Sequence, residues 1–220
     1  MAAFAGVSTG SITPVIQLFQ TQLYVAPPSR GATALNRVLL DECRRIRAAD
    51  AAGERWSARN YPHGYTSYGS LDQLHRMSSS FIRLREQIDR HAARYARALH
   101  WDLRGGRLAM SDCWMNVMGQ GAAHTRHLHP HAVVSGTYYV KTPRGAAGLK
   151  FEDPRLASLM AAPARRASAP QALQPHVEIP ALAGQLVLFE SWLRHEVPAS
   201  TVAAERVSLS FNYHWQTTPE

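Results

Sequence analysis

From residue 112 onward the chain breaks into short β-rich runs, each closed off by glycine or proline. They are 112–118 (DCWMNVM), 134–141 (VSGTYYVK), 148–152, 176–179, 185–190 (QLVLFE) and 206–213 (RVSLSFNY). Many short strands with turn signals between them suggest a β-rich fold without intervening helices. They fit a two-layer sandwich or closed barrel. The first half reads differently. Residues 33–49 place Leu35, Val38, Leu39, Cys43 and Ile46 at helical spacing, and residues 78–99 put Phe81, Leu84, Ile88, Ala92, Tyr95 and Leu99 on one stripe behind a Ser78–Ser80 cap. Residues 14–26 (PVIQLFQTQLYVA) predict one or two short strands, and 53–70 a connection rich in Gly, Pro, Tyr and Ser. The expected architecture is mainly β with N-terminal helices, a jelly-roll sandwich with helices on one face. It forms one domain over 1–220: a strand and supporting helices in 1–105 and the jelly roll in 106–220. The Ala-, Pro-, Arg- and Ser-rich stretch 156–175 reads as a long loop and a candidate lid.

Composition removes other classes. With 45% hydrophobic and 18% charged residues over 220 positions, the chain can bury a real core. No apolar run reaches the ~18–20 residues a membrane span needs. Met1–Ser11 lacks the basic and apolar regions of a secretory signal, and two cysteines, Cys43 and Cys113, make no disulfide framework. A cytoplasmic location is expected. The formal net charge is +8, with 22 arginines against two lysines. The arginines are scattered, with no basic run and no basic–aromatic motif, so nucleic acid is not the expected partner and a small substrate is. A homodimer is the default oligomer.

The chemistry is concentrated in the histidines. Of 11, four lie within His124-Thr-Arg-His127-Leu-His129-Pro-His131. In an extended segment His127 and His129 face one way, and two imidazoles on one face can close on one metal ion. His195, just after the run 185–190, is the candidate third donor. Farther on, Arg206 and Ser208 share a strand face. A guanidinium fork beside a hydroxyl suits a carboxylate, and an inward arginine on a buried strand requires an anionic partner.

These residues carry a resemblance. His127, His195 some 68 positions later, and Arg206-x-Ser208 resemble the Fe(II)/2-oxoglutarate-dependent oxygenases, and more narrowly a family of short bacterial members. The matching stretches are Leu18-Phe19-x-Thr21-x-Leu23-Tyr24-Val25, Trp114-x-Asn116, Gly121-x-x-His124-x-x-His127-x-His129-Pro130, Ser135-Gly136-x-Tyr138-Tyr139-Val140, Asp153-Pro154-Arg155, Ser191-Trp192-Leu193-x-His195-x-Val197 and Arg206-x-Ser208-x-Ser210-Phe211-Asn212. The run Gln185–Trp215 is also similar to the end of aspartyl/asparaginyl β-hydroxylases.

The resemblance implies a double-stranded β-helix, cupin-like core, with Fe(II) held by His127 and His195. It implies that 2-oxoglutarate chelates the iron, with its far carboxylate on Arg206 and Ser208 and Asn116 as a further contact. The expected product set is a hydroxylated small molecule or amino-acid-like compound, succinate and CO2. One departure stands out: the family's Asp or Glu ligand, two residues after the first His, is His129 here. The third ligand is then His129, giving His127, His129 and His195, or else His131, Glu152, Asp153 or water. A three-His cupin-like dioxygenase or metal hydrolase without 2-oxoglutarate is the enzymatic alternative, and a non-catalytic metal-binding jelly roll the other. Trp192 is expected in the core, and at most one of Tyr138 and Tyr139 can face the site. Arg165 and Arg166 in the lid hint at an acidic substrate.

Overall fold

The computed structural model describes residues 15–155 and 160–217. Two antiparallel sheets form the body. The larger runs in the order β1 (Tyr24–Ala26), β8 (Leu186–Glu190), β5 (Val134–Lys141), β10 (Arg206–Gln216), β3 (Arg107–Met118), β2 (Gly64–Thr66). The smaller runs β4 (His124–His127), β9 (His195–Val197), β6 (Leu149–Glu152), β7 (His176–Ile179). This double-sheet arrangement is the expected jelly roll.

Strand periodicity divides the labour of β10. Val207, Leu209, Phe211 and Tyr213 join the core beneath the helices. Arg206, Ser208, Ser210 and Asn212 take the opposite face, toward the smaller sheet. Antiparallel partners repeat the split: Ser208 faces Asn116 on β3, and Leu209 faces Met115. Two cores result. One lies between the large sheet and the helices, built on Leu35, Leu39, Phe81, Leu84, Ile88, Met115, Leu209 and Phe211. The other lies between the sheets, built on Met118, Tyr139, Leu149, Phe151, Phe189 and Val197. The site occupies the polar end of the second.

Helix α1 (Ala32–Ala49) buries Ala32, Leu35, Leu39 and Cys43, and α3 (Ser79–Ala98) buries Phe81, Leu84, Ile88, Ala92 and Tyr95. The α3 cap is Ser78, whose Oγ accepts from Phe81 N at 3.3 Å. The α3 stripe matches the periodicity; in α1 Leu35, Leu39 and Cys43 do, while Val38 turns outward and is 47% exposed.

Three local expectations are corrected. Residues 51–60, inside the supposed connection, form α2 (Ala51–Asn60). Asp50 caps it, accepting from Gly53 N at 2.9 Å, and also takes a 2.7 Å bond from the Tyr65 hydroxyl. A Cβ at Gly53 would meet Asp50 Oδ2 at 2.0 Å, so the glycine that argues against a helix is required by its cap. Second, only 24–26 of the predicted 14–26 strands pair, with β8; residue 14 lies outside the described residues, and 15–23 have no partner strand and stay largely exposed. Third, β4 and β9, too short for any pattern, form as a pair. The stretch 160–175 is irregular apart from one 3-10 turn at Gln171–Leu173; residues 156–159 lie outside the described residues. No described helix is long and apolar enough to cross a membrane.

Candidate metal and cosubstrate site

The β4–β9 pair sets the site. His127 and His195 are register partners across it, with ring centroids 4.3 Å apart. His129 lies just past β4, so the single extended face expected over 126–130 ends at His127. What fixes His129 is its backbone N–H, which donates to Ser191 O at 3.0 Å. Its ring stacks flat on His195, 5.2 Å between centroids at 7°. Ring nitrogens of His127, His129 and His195 all lie within 4.8 Å of one another, and among the described residues these three form the one His, Cys, Asp or Glu group that can close on an ion.

Their chemistry fits a metal. Nδ1 of His127 lies 2.7 Å from Thr125 O, and Nδ1 of His195 lies 2.9 Å from Leu193 O. A carbonyl only accepts, so Nδ1 carries the proton and donates, leaving Nε2 a bare lone pair. Nε2 of His195 stands 3.4 Å from Nε2 of His129. Burial, with neighbouring His127 adding to it, pushes His129 down to about 4 and His195 to about 3, so both are neutral near pH 7. With the His129 proton on Nδ1 as well, two lone pairs converge there, an arrangement that a cation between them stabilises. Neutral imidazoles suit iron, zinc, copper and nickel.

The other ligand candidates are engaged or remote. Buried Glu152 pairs with Arg126 at 3.0 Å, and Asp153 with Arg155 at 3.0 Å. His131 is exposed in the turn after β4.

Behind the triad lies a narrow cavity lined by Asn116, Thr137, His195, Arg206, Ser208 and Ser210, among others. Arg206 is only 3% exposed. Its guanidinium lies over the Tyr139 ring at 4.8 Å, and Nη1 reaches Ser208 Oγ at 3.4 Å and Met118 Sδ at 3.0 Å. No carboxylate meets it among the described residues. Arg206 Nε, Asn116 Oδ1 and the Tyr139 hydroxyl are buried without partners. A desolvated cation beside unsatisfied polar atoms costs several kcal/mol unless a ligand completes it. A carboxylate at Arg206 and Ser208 would supply the missing partner.

In front lies an open cleft of about 560 Å3, walled by Trp56, Tyr61, Tyr68 and Trp114, with Asp72 and Asp112 on its rim. No residue of 160–175 lines it. Tyr61 escaped the sequence reading, and the surroundings of His124 and Tyr139 were not foreseen. Tyr61 stacks on His124 at 4.4 Å, burial pushes His124 down to about 3, and Tyr139 underlies Arg206. Tyr139 alone carried a signal, since Tyr138 turns the other way to bond Asn36 Oδ1. Trp192 is 46% exposed, not core: the turn between β8 and β9 buries Leu193 instead.

Residues 112–212 match the sequence family described as "Putative 2OG-Fe(II) oxygenase". Among curated protein sequences none matches. The fold is similar to a prolyl-4-hydroxylase of Pseudomonas putida, at 18% identity and TM-score 0.57 over 89% of this chain and 94% of that one. It is also similar to HygX of Streptomyces hygroscopicus, solved with nickel and 2-oxoglutarate, at 12% identity and TM-score 0.57 over 89% and 83%. AviO1 of Streptomyces viridochromogenes Tue57 aligns at 13% identity and TM-score 0.59 over 91% and 93%.

Proposed function

We propose, from the match of residues 112–212 to the 2-oxoglutarate/Fe(II) oxygenase family model, that this enzyme hydroxylates a small-molecule or amino-acid-like substrate. Its cofactors are Fe(II) and 2-oxoglutarate. We assign the metal to His127, His129 and His195. The far carboxylate of 2-oxoglutarate goes to Arg206 and Ser208, with Asn116 as a further polar contact. The observation that carries this reading is Arg206, a buried cation with no anion, in a cavity shared with His195.

When bound, the metal and cosubstrate supply oxidative decarboxylation of 2-oxoglutarate to succinate and CO2, with transfer of one atom of O2 into a substrate C–H bond. The chain's own residues do the positioning. Thr125 and Leu193 carbonyls fix the His127 and His195 tautomers and keep both Nε2 atoms free to ligate. Arg206 forks onto the far carboxylate while Ser208 donates to it, orienting the keto-acid end toward the triad. Phe151 and Phe189 pack at 6.0 and 4.5 Å against the His195 ring and exclude water from that side. The open cleft admits the substrate from the other. The two buried thiols, Cys43 and Cys113, agree with work in a reducing cytoplasm.

Anaerobic addition of Fe(II) and 2-oxoglutarate is expected to give a weak visible charge-transfer band, and admission of air to release succinate. Absence of both the band and succinate would overturn the reading. A second reading, a three-His dioxygenase or metal hydrolase independent of 2-oxoglutarate, is favoured by one observation: histidine stands where a carboxylate ligand is usual. Metal-dependent activity untouched in Arg206→Ala would establish it.

A further inference from the structure

The cleft in front of the triad has an unexpected charge. The chain carries +8, with 22 arginines, yet among the described residues no lysine or arginine lines the cleft, and the acidic residues that do are Asp72 and Asp112. The backbone brings these two together. Cys113 N donates to Asp72 O at 2.7 Å, and Gln73 forms a parallel bridge to Cys113, so residues 72–73 run alongside β3 at 112–113. Asp112 Oδ2 is held by Ser111 Oγ at 2.7 Å and Asn212 Nδ2 at 3.4 Å, which aims the carboxylate. Its Oδ1, and the Asp72 carboxylate, meet no protein donor or cation among the described residues. Both aspartates are half-buried in the lining of one cleft, where a bound cation would find two acceptors.

The walls suit the same ligand. Tyr68 and Trp114 meet edge to face at 5.0 Å, and Trp114 lies 6.0 Å from the His129 ring. An aromatic surface therefore runs from the exposed Tyr68 inward to the triad, with Trp56 also lining the cleft. Aromatic faces beside carboxylates bind ammonium and guanidinium groups. Asp72 and Asp112 line the same cleft as His127, His129 and His195, so the acidic residues and the metal site share one chamber.

We propose that the substrate carries a cationic nitrogen group, an ammonium or a guanidinium, received by Asp72 and Asp112 and by the aromatic wall of Tyr68 and Trp114. The inference rests on the oxygenase reading for what happens next, but not for the binding itself. It reverses the acidic substrate suggested by Arg165 and Arg166, since residues 160–175 stand off the cleft.

The test uses matched fragments that differ in charge: cationic benzamidine and benzylamine, neutral benzamide and anionic benzoate. They are titrated into the zinc-loaded full chain, followed by intrinsic tryptophan fluorescence and by calorimetry. The cationic fragments are expected to bind about tenfold more tightly than benzamide, with benzoate weakest, and the preference to vanish in the Asp72→Asn/Asp112→Asn variant. Equal binding across charges, tighter binding of benzoate, no binding of any fragment, or a preference that survives in a variant with unchanged melting temperature would each overturn the proposal. Succinate release from 2-oxoglutarate is read in parallel on the unsubstituted enzyme. Its absence sinks the oxygenase reading alone, and lack of any charge preference in the unsubstituted enzyme with succinate intact sinks this proposal alone.

Discussion

Replacing Arg206 by methionine separates what the residue costs the fold from what it gives the ligand. In the free protein the guanidinium is 3% exposed and meets no carboxylate. Its compensation is a stack over Tyr139 at 4.8 Å and two contacts through Nη1. The stack is worth about 2 kcal/mol when desolvated, against a desolvation penalty of several kcal/mol for an uncompensated ion. Methionine keeps much of the apolar stem volume and removes the charge. The ligand-free variant is therefore expected to be as stable as the parent or more so, an unusual outcome for a buried position. With 2-oxoglutarate at 100 times its Kd, the parent gains about 2.7 kcal/mol, or roughly 5 to 10 °C in Tm for a chain of this size; the variant gains nothing. The assay is thermal unfolding of the zinc-substituted protein with and without 2-oxoglutarate. A ligand-free variant destabilised by about 3 kcal/mol or more, or one still stabilised by 2-oxoglutarate, would refute the argument that Arg206 waits for an anion.

Three further outcomes follow from the same geometry. His129→Asp restores a carboxylate at the usual position and is expected to bind Fe(II) at least as tightly as the parent, whereas Glu152→Gln leaves metal affinity unchanged because Glu152 serves Arg126; equilibrium dialysis reads both. His75, 2% exposed, is pushed down to about 4 by burial reinforced by Arg76, and His195 to about 3 by burial reinforced by His127. Each folded pKa lies below the unfolded value near 6.5, so the unfolded state takes up protons first. Stability of the metal-free protein should fall by up to about 1.4 kcal/mol per pH unit per histidine from pH 6.5 down to about 4, in urea unfolding at stepped pH. Leu39→Ala, at a fully buried position of α1, should cost about 2–5 kcal/mol in the same assay.

What could be read from the sequence was whatever a single element carries within itself. The stripe of α3 and the alternation of β10 are such cases: a strand that shows Arg206, Ser208, Ser210 and Asn212 on one side and Val207, Leu209, Phe211 and Tyr213 on the other states its two environments. The grouping of His127, His129 and His195 was legible in outline, but not through the reason first given. His129 is brought in by a bond to Ser191, a residue 62 positions away, and not by strand parity. Helix α2 was hidden because its glycine serves a cap whose carboxylate is shared with Tyr65. Tyr61, His124 and the acidic edge of the cleft depend on α2 and on the path of residues 72–73 beside β3, contacts that no local pattern encodes.

The bracing of the two register-paired histidines has one more consequence. Each imidazole is tethered by a carbonyl two residues upstream on its own backbone, so the tautomer is set within a tripeptide even where neighbouring rings pack against it. Two such tripeptides on facing antiparallel strands already present convergent lone pairs. That makes the β4–β9 ladder a portable unit. Grafted onto another tight antiparallel pair it would bring half a metal site with it, and inside this chain it lets the cleft walls diverge without disturbing the donors.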